Sequence, residues 1–329
     1  MPLILLATLL RVHQIGVRDF WYDEAFTSVA AQGSYRSMLT LLTQDVHPPL
    51  FFFFTKSVTD LFGATVAWTR FFPALFGVLS VYIVYLFTKE LISRRAGMYA
   101  AFFAAICPFL IQYSQEARMY SQYAFFVGLA AYFLIRVLKY KQHRDVVFFG
   151  CAVGLGALTH YMSLLYIGIF YAVVLVWQFP LPLLTHGDVR SRVCAILNWL
   201  FPARFFAGIS VAFVLFLPWI SRFLVQYADK QDKTKWIPEA LLKDIPRTLW
   251  MLVIGTPPGE LGGGVPSPHE LTHVPEIVAV TFCSLLFLGV FLWLLRKKTK
   301  EGLILFLLSG GFALGIFALS LLGKHYFLP

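Results

Sequence analysis

Asp23 and Glu24 stand side by side between Trp21-Tyr22 and the apolar continuation Ala25-Phe26. A carboxylate flanked by aromatic rings loses part of its hydration, which raises its pKa and suits it to general-base work. The same pair also reads as the acidic first turn of a solvated helix, favoured by the helix dipole. His47-Pro48-Pro49 dictates an extended or turn backbone, because proline restricts the residue before it. The His47 ring serves there either as a turn cap or in chemistry. Glu116 and Arg118 flank a boundary between two apolar runs. A guanidinium in such a place suits a phosphate, whose oxygens it grips in a bidentate way; a structural pair with Glu116 or another acid is the competing reading. Arg70 opens an apolar run and either joins a phosphate site or snorkels. His160-Tyr161 interrupts a long apolar stretch, and His160 is there either a satisfied polar residue or a donor to phosphate.

The elements that must position these residues are membrane helices. Of 329 residues, 59% are apolar and 13% charged, against about 45–50% and about 25% in ordinary soluble domains. So apolar a chain is not disordered. Runs near the ~20 residues that span a bilayer occur at 71–88, 96–113, 119–138, 146–159, 162–179, 205–220, 277–295 and 302–322. Read as one helix, 146–179 would be about 51 Å long, far beyond a hydrocarbon core of about 30 Å. It is therefore predicted to be two helices with a tight turn at Thr159-His160-Tyr161. Pro2–Ile15 is short for a span, contains Arg11, and lacks the basic leader and cleavage site of a signal peptide. It reads as a first helix missing some N-terminal residues. Leu50–Phe62, with four consecutive Phe but also Lys56 and Asp60 between Pro49 and Gly63, fits a helix lying in the interface. The prediction is an all-α polytopic protein of about nine transmembrane helices, one multi-pass domain over 1–329, with interfacial helices in the first extracytoplasmic loop.

Charge then orients the chain. Lys89–Arg95, Arg136–Asp145, Asp188–Arg204 and Arg296–Glu301 hold 3, 4, 3 and 4 basic residues, 14 in all, against four acids. Two spans separate each consecutive pair, so the four segments share a side, and the positive-inside rule makes that side the cytoplasm. The net charge of +10 is thus an orientation signal and calls for no nucleic acid. Everything with chemical potential falls on the opposite, extracytoplasmic side: Asp23-Glu24, His47, Arg70, Glu116 to Arg118, His160-Tyr161, a long loop at 221–276, and Lys324-His325-Tyr326. Ionisable residues at membrane helix ends facing one compartment are functional candidates. The four cysteines, all in apolar stretches, read as buried thiols outside any disulfide framework.

Taken in order, Trp21-Tyr22-Asp23-Glu24-Ala25, His47-Pro48-Pro49-Leu50, Arg70-Phe71-Phe72-Pro73-Ala74-Leu75-Phe76-Gly77, Arg94-Arg95-Ala96-Gly97, Tyr113-Ser114-Gln115-Glu116-Ala117-Arg118-Met119-Tyr120 and Thr159-His160-Tyr161 resemble the integral-membrane glycosyltransferases of the C superfamily. The similarity is to the protein-mannosyltransferase and aminoarabinose-transferase group that uses polyprenyl-phosphate sugars, and it runs over about 1–165. The resemblance implies a catalytic acid in the first outer loop, which falls on Asp23 with Glu24 beside it. It implies transfer of a sugar from a lipid-phosphate carrier to a protein, lipid or glycan acceptor at the outer face, with inversion. Arg118, Arg70, His160, Tyr161, His47 and Glu116 would then bind the donor phosphate or substrate, and Phe51–Phe54 would lie where a prenyl chain approaches. No cofactor is required in this reading, with a divalent cation left open. Members of the group usually continue through further helices, so the chain reads as truncated at one or both ends.

Two other classes fit the sequence less well. A transporter or lipid-carrier flippase would place its ionisable residues near mid-membrane in broken helices of internal repeats, whereas here they gather at helix ends. His269-Glu270-Leu271-Thr272-His273 matches the zinc-protease pattern, but Pro275 would break its helix and no third ligand follows. No Walker or strand-linked G-x-G-x-x-G motif and no 20–50-residue repeat occur.

Overall fold

The computed structural model describes residues 2–179, 189–233, 289, 292, 296 and 300–309. Among the described residues the secondary structure is entirely helical. The helices are α1 (Pro2–Val12), α2 (Tyr22–Gln32), α3 (Tyr35–Thr43), α4 (Leu50–Phe62), α5 (Val66–Thr69), α6 (Phe71–Leu91), α7 (Arg94–Ile106), α8 (Pro108–Ser114), α9 (Tyr120–Tyr140), α10 (His143–Thr159), α11 (Ser163–Gln178), α12 (Val189–Leu200), α13 (Ala203–Phe216) and α14 (Ile220–Lys233). Residues 300–309 are also helical. Long apolar runs and backbone groups that must be satisfied inside lipid both favour helices over open sheets.

Three apolar helical stretches are long enough to cross a membrane, Phe71–Leu91, Tyr120–Tyr140 and Val189–Gln226, and a fourth if α7 and α8 form one span. The predicted nine are therefore not all seen among the described residues. The spans expected at 277–295 and 302–322, the H-E-x-x-H segment, most of the 221–276 loop and Lys324-His325-Tyr326 lie wholly or largely outside those residues.

Several boundaries follow from local chemistry. The interfacial helix α4 runs over Leu50–Phe62, as expected, and Gly63 ends it at φ +84, a backbone conformation that glycine adopts without penalty. The 146–179 run breaks at His160 as expected, between α10 and α11. The predicted 96–113 span is not one straight helix: α7 and α8 meet at a bend of 60° at Cys107. Pro108 lacks an N–H and its ring clashes with the preceding turn. Arg11, fully buried, takes up the freed carbonyls, donating to Ala104 O at 3.1 Å and Ala105 O at 3.0 Å. Gln115 Nε2 returns the favour at the end of α1, donating to Leu10 O, Arg11 O and His13 O. The predicted 205–220 span stops at Phe216, where Pro218 tightens the chain into a 3₁₀ turn over Leu217–Trp219. The 188–204 segment, expected as a loop, is largely the helix α12. Of the described cysteines, Cys194 is exposed rather than buried, and Cys107 and Cys151 are half-buried.

Around α9, α10, α11 and α13 the main core forms from Leu134, Ile135, Phe149, Phe170, Val173 and Phe205. Small residues let α10 and α13 approach closely. A Cβ on Gly150 would stand 2.3 Å from Gly208 O, and Gly150, Gly154, Gly208 and Ala212 give each helix a small-xxx-small face.

Helix direction sorts the loops into two ends. Glu90 accepts from Tyr140 Oη at 2.7 Å and pairs with Lys139, while Arg136 pairs with Asp145 at 3.1 Å. Lys300 lies over the Trp177 ring, and Trp199 donates to Leu175 O. The basic segments therefore meet at one end of the bundle. The start of α6, the α8–α9 loop and the α10–α11 turn lie at the other.

Candidate functional site

At that other end, α2 presents its two adjacent acids to different surroundings. Consecutive helical residues point about 100° apart. Glu24 is 1% exposed, whereas the Asp23 side chain is 35% exposed. Glu24 is also fully engaged. Its Oε1 accepts from Arg70 Nε at 2.8 Å and from the backbone N–H of Ala117 at 2.6 Å, and its Oε2 accepts from Arg70 Nη2 at 2.7 Å. Trp21 N–H adds a longer bond of 3.4 Å.

Arg70 is committed to the same degree. Beyond Glu24, its Nη1 donates to Ile15 O and Arg18 O and its Nη2 to Asp19 O. A guanidinium has five N–H donors, and all five have partners inside the protein. Arg70, expected as a snorkelling or phosphate-binding cation, is thus a staple that ties α6 to the 15–19 loop and, through Glu24, to Ala117. A phosphate would have to displace one of those bonds.

Arg118, one residue beyond Ala117, is buried and differently occupied. Its Nη2 lies 3.1 Å from His47 Nε2 and 3.5 Å from Asp23 Oδ2. Its Nε is buried and finds no acceptor among the described residues. A buried orphan donor costs about 1–3 kcal/mol, which an incoming oxyanion would recover. His47 Nδ1 lies 2.6 Å from Asp45 Oδ2. Burial pushes the Asp45 carboxyl up, but the His47 hydrogen bond and charge, helped by the Val46 backbone bond and the Arg118 charge, hold it below the usual range.

Glu116 sits half-buried, hydrogen-bonded by Gln112 Nε2 at 3.3 Å. Burial pushes its carboxyl up to about 7, against the Gln112 bond, with the neighbouring Glu24 charge reinforcing the rise. His160 forms the α10–α11 turn, its Nδ1 accepting from Met162 N–H at 3.1 Å, and its ring lies beside Tyr123 and Tyr120. Tyr161 is turned to other work: Trp219 Nε1 donates to its hydroxyl at 2.7 Å, and the hydroxyl in turn reaches Gln226, which ties down Leu42 O. Phe51 and Phe52, assigned with Phe53 and Phe54 to a prenyl path, are fully buried in the core beneath α2 and α3. Phe54 instead packs at a tilt against Phe72 and edge-on against Phe76.

The structure thus brings Asp23, Glu24, His47, Arg70 and Arg118 into one bonded cluster, with Glu116 beside it. His160 and Tyr161 are linked to it through Tyr120 and the α3 end. Sequence reasoning places Asp45 on the outer face with His47 but gives it no role of its own, although its spacing of two from His47 was a signal. It also missed Gln115 and Arg11, whose partners are more than 90 residues away. Gly77, the last residue of the quoted Arg70–Gly77 motif, has a packing reason: a Cβ there would stand 2.7 Å from Ser114 Cβ, so only glycine lets α8 press on α6.

Comparison with known proteins follows the same lines. The sequence profile of the family described as dolichyl-phosphate-mannose-protein mannosyltransferase matches residues 46–186, which takes in His47, Arg70, Arg118 and His160 and leaves Asp23 outside. No curated protein sequence matches significantly. Among solved structures, the Archaeoglobus fulgidus oligosaccharyltransferase in complex with Zn and sulfate aligns at 17% identity and a TM-score of 0.54, covering 97% of this chain and 46% of that one. Its form tethered to an acceptor peptide aligns at 16% identity and a TM-score of 0.52, covering 97% and 48%. The S. cerevisiae protein O-mannosyltransferase Pmt1-Pmt2 complex bound to the sugar donor aligns at 19% identity and a TM-score of 0.49, covering 68% and 33%. The chain spans a third to a half of the length of these proteins. Both comparisons meet the resemblance read from the motifs: this membrane protein is similar, in its 46–186 sequence and in its fold, to the integral-membrane glycosyltransferases of the C superfamily.

Proposed function

We propose that the chain moves a sugar from a polyprenyl-phosphate carrier to an acceptor hydroxyl at the extracytoplasmic membrane face, with inversion and with Asp23 as general base. One observation carries the reading: a half-exposed carboxylate stands beside a buried guanidinium that keeps a spare N–H, while the neighbouring acid is locked in a structural ion pair. The family profile, described by its lipid-phosphate mannose donor, supports the donor class. The basic segments at the far end of the bundle support the sidedness through the positive-inside rule.

In this reading the acceptor oxygen attacks the anomeric carbon and gives its proton to Asp23. The bond from that carbon to the phosphate oxygen breaks, and the electron pair leaves on the polyprenyl phosphate. Negative charge grows on that oxygen, so Arg118 binds the transition state more strongly than the ground state. Glu24 and Arg70 hold the Ala117 backbone and so fix where Arg118 begins. His47 positions the guanidinium, Glu116 and His160 belong to the substrate-binding surround, and Tyr161 supports that surround through its bonds with Trp219 and Gln226. Among the described residues no three His, Cys, Asp or Glu side chains converge to hold a metal ion. The acceptor class, whether protein, lipid or glycan, is left to the experiment.

The test incubates membranes containing the protein with a panel of radiolabelled polyprenyl-phosphate sugars, dolichyl-phosphate mannose included. It asks which label moves, and onto what. Asp23→Asn is expected to lower transfer by about 10²–10⁴-fold, the usual worth of a general base, with membrane insertion unchanged. Full activity in that variant would sink the assignment.

A further inference from the structure

We infer that Asp45 is a positioning residue for sugar transfer, acting by fixing the tautomer of His47 so that His47 holds Arg118 beside Asp23. The inference rests on the reading of Asp23 and Arg118 given above. Its core is a matter of donors and acceptors. Arg118 Nη2 lies 3.1 Å from His47 Nε2, and a guanidinium has N–H donors and no acceptor. The bond therefore exists only if His47 Nε2 carries no proton. A neutral imidazole must then carry its proton on Nδ1, and Asp45 Oδ2, 2.6 Å from Nδ1, is the acceptor placed to receive it.

The order Asp45, His47, Arg118, Asp23 is thus a directional chain, each link setting the next. Without the carboxylate, the imidazole is free to carry its proton on Nε2, which would point an N–H at the N–H of Arg118. The guanidinium would lose His47 as an acceptor, and its Nη2 would no longer be held between His47 and Asp23. The titratable and charged groups facing His47 and its partners are Asp23 from α2, Glu116 and Arg118 from the α8–α9 loop, Tyr120 from α9, and Tyr161 from the α10–α11 turn, which feels the Asp45 charge.

The test combines a spectroscopic and a kinetic measurement on the full chain in nanodiscs. Histidine-selective ¹⁵N labelling, with the His47 signals assigned by their loss in His47→Gln, reads the tautomer directly. The unmutated protein is expected to show His47 protonated on Nδ1, and Asp45→Asn to shift it toward Nε2. Transfer is measured with the radiolabelled polyprenyl-phosphate sugar that the unmutated protein uses. Asp45→Asn is expected to lower kcat about 10–100-fold, the worth of one charge-assisted hydrogen bond, with KM nearly unchanged.

In His47→Gln the amide oxygen accepts from Arg118 whatever stands at 45, so adding Asp45→Asn should cost nothing further. A structural role for Asp45 would cost the same in both backgrounds, and that result overturns the proposal. So does finding His47 protonated on Nε2 in the unmutated protein, a measurement that needs no variant to fold with Asp45 removed. Full activity of Asp23→Asn would instead overturn the underlying reading, and leaves a distinct signature.

Discussion

Glu24→Gln separates the two acids of α2. Glutamine keeps the size and removes the charge, and neither orientation of its amide fits. With the NH₂ at the Oε1 position it faces two donors, Arg70 Nε and Ala117 N–H; at the Oε2 position it faces Arg70 Nη2 and Trp21 N–H. Either way the buried Arg70 loses its counter-ion. Breaking a buried ion pair by removing one partner costs about 3–5 kcal/mol, and at about 2–4 °C per kcal/mol for domains of 150–250 residues the unfolding midpoint should fall by roughly 6–20 °C. Asp23→Asn, one residue away and with the same change of charge, removes a long 3.5 Å contact from a carboxylate that is 35% exposed; such pairs are worth about 0–1 kcal/mol. The assay is thermal unfolding of the detergent-solubilised protein by tryptophan fluorescence and by recovery of monodisperse material. A Glu24→Gln midpoint within about 2 °C of the unmutated protein, or equal losses in the two variants, would refute the division of labour.

Two further expectations follow from the geometry. Glu116, with its carboxyl pushed up to about 7 from 4.5, binds its proton more tightly folded than unfolded, so its contribution to stability declines as pH rises from about 4.5 to about 7 and is constant above. Glu116→Gln should flatten that decline, by no more than about 3 kcal/mol, in urea or thermal titrations at pH 5 and pH 8; an unchanged slope would count against the raised value. Gly150→Ala places a Cβ 2.3 Å from Gly208 O and should destabilise the α10–α13 crossing by about 1–3 kcal/mol, read as a lower unfolding midpoint with the His47 ¹⁵N signals unmoved.

Much of the frame was legible in the chain. The bounds of α4 were readable because Pro49 and Gly63 are chemical punctuation, and the break at His160 because 146–179 is too long for one bilayer crossing. The gathering of the basic segments at one end followed from counting spans between charges. The bend at Cys107 was less legible: Pro108 is a local signal for it, but the bend persists because Arg11 occupies the carbonyls it exposes, and that partner lies 93 residues away. Helix α12 is hard to see in the sequence because its basic residues and short length obscure an apolar stripe of Val189, Val193, Ile196 and Leu197 left exposed.

By itself, the sequence determined that this is a helical membrane chain, which loops share an end, and which residue types gather there. Length, hydropathy and charge are local properties that need no partner to be read. Only the tertiary structure decided which of two adjacent acids stays accessible and which arginine keeps a spare donor. Glu24 meets Arg70 across 46 positions and Ala117 across 93, and His47 meets Arg118 across 71. Burial and hydrogen-bond saturation, which separate a structural staple from a reacting group, exist only once those distant segments are packed together.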